Sequence, residues 1–187
     1  MRATRGLRRR TDARAIVLFA ICLLLTGCAR RSSAAAPASG VVAEIGRRRA
    51  APRLAGESLT GAPLDVADFR GRVVAVNIWG SWCGPCQAEA RDLVRVAAAT
   101  QPLGVQFVGI DIRDNRAAAI SFEKDYGIDY PSLFDGGMQI VAGFKSFVYP
   151  PTTYVIDRKG RISATLFGAI DPAVLERLLR TVAAEPG

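Results

Sequence analysis

The chain reads as an α/β domain built on one mixed sheet with helices on both faces. Two continuous, β-branched apolar runs, 73–79 and 105–110, are each followed by a stretch of helical spacing. From 152 onward the pattern is strand, tight turn, strand and helix. Strands alternating with helices produce parallel pairs, and a tight strand-turn-strand unit adds an antiparallel pair.

The elements follow in order. Residues 1–27 have the three parts of an export signal: a basic stretch with six Arg, an apolar run at 15–25, and small residues before a break. That apolar run is too short for a permanent transmembrane helix, which needs about 20 residues. It ends Leu25-Thr26-Gly27-Cys28, which resembles the lipobox of bacterial lipoproteins. The resemblance implies that Cys28 carries the lipid and begins the mature chain, and that Cys22 leaves with the signal. A lone thiol on an exported chain is a liability that lipidation removes.

Residues 28–53 are rich in Ala, Ser, Pro, Gly and Arg, with no sustained apolar periodicity. Such a composition cannot offset ordering entropy, so a flexible linker is expected. Its arginines would lie near the membrane surface, where each contributes on the order of 1 kcal/mol toward anionic headgroups. The folded domain is expected over 54–187. It opens with a short hairpin bracketed by Gly56 and Gly61-Ala62-Pro63, followed by a turn at 68–71. The run at 73–79 has the pattern of a strand buried on both faces.

A helix over 83–100 places Ala90, Leu93, Val94 and Ala97 on one stripe. A second helix over 115–124 has Asp114 or Asn115 as its cap and stops at Gly127. A short helical stretch is expected near 138–144. Strands at 152–156 and 161–167 flank the turn at 157–160, and the last helix starts with Asp171 as cap and Pro172 in its first turn.

The formal charge of +8 raises the question of a polyanionic partner. Residues 1–27 and 28–53 each hold six Arg against one acidic residue, so the excess lies wholly outside 54–187, which is slightly acidic. A domain without a basic stripe has no footprint for phosphate, and nucleic acid is excluded as a partner.

The chemistry centres on Trp82-Cys83-Gly84-Pro85-Cys86, placed directly after a strand and opening a helix. A Cys at a helix N-terminus faces unpaired backbone N–H groups and the positive end of the helix dipole, which favour thiolate over thiol. Cys83 is therefore the nucleophile. Cys86, one turn on, can attack a mixed disulfide on Cys83 and release the reduced partner. Pro85 falls where its missing N–H costs nothing, and Gly84 lets a partner chain approach. A zinc site needs four Cys or His ligands, and the chain has no His and four Cys in all. Gln87 stands where haem attachment needs His, and the missing His also excludes Cys-His and Ser-His catalysis. A structural disulfide remains open as the alternative, although so short a loop restrains the unfolded chain little.

From about Gly56 to the C-terminus the sequence resembles the extracytoplasmic TlpA/ResA-type thioredoxin-like proteins. The resemblance rests on the stretch from Val76 through Cys86, on Glu89, on Gly127-Ile128-Asp129-Tyr130-Pro131, and on Pro151-Thr152-Thr153-Tyr154-Val155-Ile156-Asp157 with Gly160 after it. It implies a thioredoxin-like fold, a central mixed sheet flanked by helices with an N-terminal hairpin extension. The implied activity is thiol-disulfide oxidoreduction by Cys83 and Cys86, without a cofactor. Pro151 matches the family's cis-proline beside the redox pair, and the backbone around Pro150 would pair with a substrate strand. Trp82, Gly84, Pro85, Pro150 and Pro151 form the expected substrate surface.

Asn77 stands where cytosolic thioredoxins bury an Asp, so Cys86 needs another proton acceptor. Glu89, one turn beyond Cys86, is the candidate base, its pKa rising if buried; the alternative on spacing alone is a solvated helix residue. The chain departs from the family at Arg91, where many relatives kink the helix with proline, and at Pro150, which removes an N–H from the substrate-facing loop. A straighter helix is expected.

The implied partners are exported protein thiols and disulfides and a membrane electron donor, with the protein a lipid-anchored, extracytoplasmic monomer. Cytochrome c maturation is a client pathway the resemblance suggests. Gly84-Pro85 is the dipeptide of reducing thioredoxin, near −270 mV, which favours a reductant. Alternatives on the same fold are a peroxidase, for which Gly80 and Val76 replace the expected Thr and Pro, and a copper chaperone using Cys83 and Cys86, for which the usual His is absent. A binding module with a vestigial Cys pair is a third.

Overall fold

The computed structural model describes residues 39–42, 48–145 and 148–187. The export signal, Cys22 and Cys28 lie outside the described residues. The strands are β1 (Ser39–Val42), β2 (Ala55–Glu57), β3 (Pro63–Asp65), β4 (Val73–Trp79), β5 (Val105–Ile112), β6 (Ser132–Asp135), β7 (Thr152–Ile156) and β8 (Ile162–Phe167). The α-helices are α1 (Gly84–Thr100), α2 (Arg116–Tyr126) and α3 (Pro172–Ala183).

Strand order in the main sheet is β1-β8-β7-β4-β5-β6, and β2 with β3 forms a separate antiparallel hairpin. β4 pairs parallel with β5, and β5 with β6, while β7 runs antiparallel to both β4 and β8. Five strands make the body of the sheet, and β1 extends its edge along β8.

β4 is buried along its whole length. Val74, Val76 and Ile78 face one layer with Val108, Ile110, Ile112, Leu54, Val66, Val141 and Phe144. Val73 and Ala75 face the other layer, against Leu93 and Val96 of α1 and Leu175 and Leu179 of α3. Trp79 stacks on Phe122 of α2, with ring centroids 4.6 Å apart. The three α-helices thus share one face. The second face, where further helices were expected, is closed by the hairpin and by 3-10 turns at Val66–Phe69 and Val141–Phe144. These short segments suffice because Leu54, Val66, Val141 and Phe144 fill the layer with their side chains.

Helix ends follow local chemistry. Asn115 accepts from the N–H of Ala118 and Asp171 from those of Ala173 and Val174, capping α2 and α3. Gly127 ends α2 in the left-handed region at φ 71°. α1 runs unbroken through Arg91, whose guanidinium donates to the Asp125 carbonyl in the last turn of α2 and lies over the Tyr126 ring. The residue that replaces the family's kinking proline therefore joins two helices.

The domain begins earlier than 54. Arg48 is buried, making two hydrogen bonds to Glu185, at 2.6 and 2.7 Å, and one to Asp157 at 3.3 Å. Ala51 N donates to Gly160 O at 2.9 Å, and Ala50 bridges to Arg161. Composition placed 48–53 in the linker because the partners that satisfy Arg48 lie more than 100 residues away.

Candidate active site

β4 delivers the chain to Trp79, a three-residue loop follows, and Cys83 is the N-cap of α1. Cys83 and Cys86 are joined in a disulfide, with Cα atoms 5.2 Å apart. The N–H of Cys86 donates to Cys83 Sγ at 3.2 Å, so the sulfur at the helix mouth already receives one of the orphan donors. Both cysteines are buried, whereas Gly84 and Pro85 between them are exposed. A side chain at Gly84 would meet nothing within 4 Å. The space over the pair is open to a partner chain.

The loop before Cys83 is held from β5 and the turn after it. Asp114 Oδ2 accepts from Ser81 N at 2.7 Å, and Trp82 Nε1 donates to Ile112 O at 3.2 Å. The Trp82 ring stays 46% exposed beside the disulfide. A Cβ at Gly80 would sit 2.6 Å from Trp82 Nε1 and 3.1 Å from Ile112 O. The threonine that a peroxidase needs three residues before its cysteine has no room here.

Beneath the pair lies Glu89, 3% exposed on the face of α1 that carries Cys86. Its Oε1 accepts from Asn77 Nδ2 at 3.2 Å and its Oε2 from Ile170 N at 2.9 Å. Asn77 Nδ2 also donates to Thr153 Oγ1 at 3.0 Å. Burial pushes the Glu89 carboxyl up to about 7, against the opposing pull of the Ile170 and Asn77 donors. Two elements that meet only in the fold, β4 and the approach to α3, thus hold this carboxyl, and β7 fixes the Asn77 amide through Thr153.

The Pro150-Pro151 bond is cis. Pro151 precedes Thr152, whose Cα is paired with Ile78 of β4, so the proline stands at the redox end of the sheet. Gly168 N donates to Pro151 O at 2.9 Å, and Thr152 Oγ1 to Tyr149 O at 2.6 Å. Two of the three carbonyls in 149–151 are therefore engaged within the chain, narrowing the backbone expected to pair with substrate. Neither proline supplies an N–H.

Another buried acid, not anticipated from sequence, lies near this loop. Asp111 is fully buried in β5, opposite Trp79 of β4 and Phe134 of β6. No amide, hydroxyl or cation hydrogen-bonds its carboxyl among the described residues. Burial, then the adjacent Asp114 charge, push it up to about 8, with Glu123 and Asp135 adding to the effect. The available signal was a charged residue inside an otherwise apolar strand run.

A disulfide capping a helix at the end of a central strand, with a cis-proline at the same sheet end, defines a thioredoxin-like thiol-disulfide oxidoreductase. The comparisons agree. The chain is 28% identical over 139 residues to the thiol-disulfide oxidoreductase ResA of Bacillus thuringiensis subsp. konkukian, covering 74% of this chain and 79% of that protein. With ResA of Bacillus subtilis the identity is 26%, covering 73% and 75%. A secreted thiol-disulfide isomerase from Corynebacterium glutamicum superposes with a TM-score of 0.74 and 29% identity, covering 78% of this chain and 92% of that one. A secreted Mycobacterium tuberculosis disulfide oxidoreductase homologous to E. coli DsbE gives 0.63 and 29%, covering 68% and 94%. The chain belongs to the AhpC/TSA family, whose sequence model matches residues 48–165. That match begins at Arg48, whose guanidinium is hydrogen-bonded to Glu185.

Proposed function

We propose that this protein is a lipid-anchored, extracytoplasmic reductant of disulfides in exported proteins, with Cys83 attacking and Cys86 resolving. The observation that carries the reading is the buried Glu89 carboxyl, held near pKa 7 beneath the pair by Asn77 and Ile170. A reductase must deprotonate its buried resolving thiol at neutral pH, and an acceptor with a pKa near 7 suits that step.

In the reduced protein the Cys83 thiolate attacks one sulfur of a client disulfide, and the other leaves as thiolate. Cys86 then gives its proton to Glu89 and attacks Cys83 Sγ, releasing the second client thiolate and closing the disulfide seen here. Two electrons pass to the client. Glu89 sheds the proton to solvent, and an external dithiol must reduce Cys83–Cys86 again.

Support for the location comes from the signal-like 1–27, the lipobox at Cys28 and the names of two similar structures, both described as secreted. Support for the reducing direction comes from Gly84-Pro85, and the family resemblance of the sequence suggests cytochrome c maturation as the client pathway. The donor is a membrane dithiol and the protein acts as a monomer.

The test is insulin reduction by the full chain with dithiothreitol as electron source, beside a Cys86→Ala variant. The reading requires acceleration over dithiothreitol alone and a trapped mixed disulfide on Cys83 in the variant. Absence of both, with tight binding of one Cu(I) per chain, would replace it by metal delivery.

A further inference from the structure

Asp111 takes part in no step of the exchange, yet it stands beside the loop that delivers Cys83. In register it lies between Trp79, the last residue of β4, and Phe134 of β6, and it is fully buried. The charged groups that face it are Asp114 just beyond β5, Glu123 on α2 and Asp135 on β6, and all three are acidic. The nearby cations are turned elsewhere. Arg113 donates to Met138 Sδ, and Arg116 of α2, over the Phe134 ring, donates to Ser58 O, Leu59 O and Glu57. From α1, Glu89 is directed to Asn77 and Ile170. A carboxylate in such surroundings lacks both water and a donor, whereas the neutral acid has one O–H to give.

The Asp114 carboxyl lies within hydrogen-bonding reach of that O–H. Its Oδ1 accepts from Asn115 N at 2.8 Å and its Oδ2 from Ser81 N at 2.7 Å, and each oxygen keeps a lone pair for a further donor. Arg113, between the two acids, has φ 52°, a left-handed conformation that a residue other than glycine keeps only when its surroundings hold it. Ser81 is gripped from a second side by Gln87, whose Nε2 donates to the Ser81 carbonyl at 2.8 Å. The loop then closes on itself, Cys83 N donating to Gly80 O at 3.0 Å.

We infer that Asp111 is a positioning residue for the attacking cysteine: as a neutral acid it donates a hydrogen bond to Asp114, and Asp114 thereby holds Ser81 and the loop that sets Cys83 at the mouth of α1. The inference rests on Cys83 being the nucleophile. An O–H to carboxylate bond is charge-assisted and keeps two carboxylates from facing each other. Burial, and then Asp114, raise the Asp111 carboxyl to about 8, so at neutral pH the donor is in place. Above that pH the donor becomes a like charge and pushes Asp114 away from Ser81.

The experiment compares three full-length chains: the parent, Asp111→Asn, which keeps a donor and cannot ionise, and Asp111→Leu, which has no donor. Exchange of the Ser81 amide hydrogen is followed by NMR in the oxidised proteins, with the β4 amide of Val76 recorded alongside to separate loop opening from global unfolding. At pH 6.5 the Ser81 amide should exchange about tenfold faster in the Leu variant than in the parent, and within about twofold of the parent in the Asn variant. At pH 9 the parent should exchange about tenfold faster than the Asn variant. In the reduced proteins at pH 7, alkylation of Cys83 by iodoacetamide should be about threefold slower in the Leu variant and recover with Asn, because a displaced sulfur loses thiolate stabilisation at the helix mouth.

Equal Ser81 exchange in the parent and the Leu variant, a parent-to-Asn ratio that is the same at pH 6.5 and 9, or changes that Val76 shares in full, each overturn the inference. If the Leu variant does not fold, the pH comparison of parent with Asn decides alone. The position of the first alkylation separates the two levels. Modification of Cys86 first removes the reading that Cys83 attacks, whereas modification of Cys83 with unaltered Ser81 exchange removes only the role of Asp111.

Discussion

Asn77 and Glu89, twelve positions apart, meet through a 3.2 Å hydrogen bond beneath the redox pair, the amide donating to a carboxyl that is 3% exposed. Asn77 occupies the place where cytosolic thioredoxins have a carboxylate, so the acid has moved from the strand to the helix while remaining under the same disulfide. Moving it places the group on the turn after Cys86, whose proton it is proposed to receive.

Replacing Glu89 by Gln removes the group that titrates near 7. The rate of mixed-disulfide resolution should fall by about a hundredfold at pH 7, the low end of general-base contributions, and lose its inflection near 7. Stopped-flow resolution of a Cys83 adduct across pH 5–9 measures both. An unchanged profile would show that Glu89 is structural.

Asn77→Asp would set a second carboxyl against Glu89. Two carboxyls at hydrogen-bonding distance share one proton, and the pair then titrates with one apparent pKa below and one above 7. The expected result is a resolution rate that reaches its plateau about one pH unit or more higher than in the parent. A pH profile superposable on the parent's would rule out coupling through this contact.

Asp111 predicts a pH dependence of stability with a definite sign. Its folded pKa is raised from 3.8 to about 8, so between those values the folded state holds more protons than the unfolded chain. Stability therefore declines as pH rises from about 4 to 8 and levels off above. Asp111→Asn should remove this part of the decline, giving a gain on the order of a few kcal/mol at pH 9 and little change at pH 4. Urea unfolding at the two pH values checks it, and a gain equal at both would rule out ionisation as the cause.

Arg48 tests where the domain begins. Arg48→Ala removes the cation shared by the half-buried Glu185 and the buried Asp157, which keeps Arg161, a loss expected to cost about 2–3 kcal/mol. Arg180→Ala, which breaks a more exposed pair with Glu176, should cost less than about 1 kcal/mol. Denaturant midpoints of the two variants give the comparison, and similar losses would place 48–53 outside the cooperative unit.

Local signals located most elements. The apolar run of β4, the caps Asn115 and Asp171, the stop at Gly127 and the turn between β7 and β8 stand where sequence placed them. β6 escaped because Ser132–Asp135 is short and its pairing partner, Gly109–Ile112, is remote. β1 escaped because Ser39-Gly40 breaks the apolar pattern and its ladder exists only against β8. The contribution of Arg48 was hidden for the same reason, since its two acidic partners lie near the far end of the chain.

By itself, then, the sequence determined the redox pair, because Cys83 and Cys86 lie one helical turn apart and their chemistry follows from a local cap. It also made Glu89 a candidate through helical spacing. Only the tertiary structure decided that Glu89 is buried, that Asn77 and Ile170 hold it, and that Asp111 shares the loop region with Asp114. The physical reason is that a carboxyl's proton affinity depends on desolvation and on donors supplied by distant segments, and neither exists until the sheet and helices close around it.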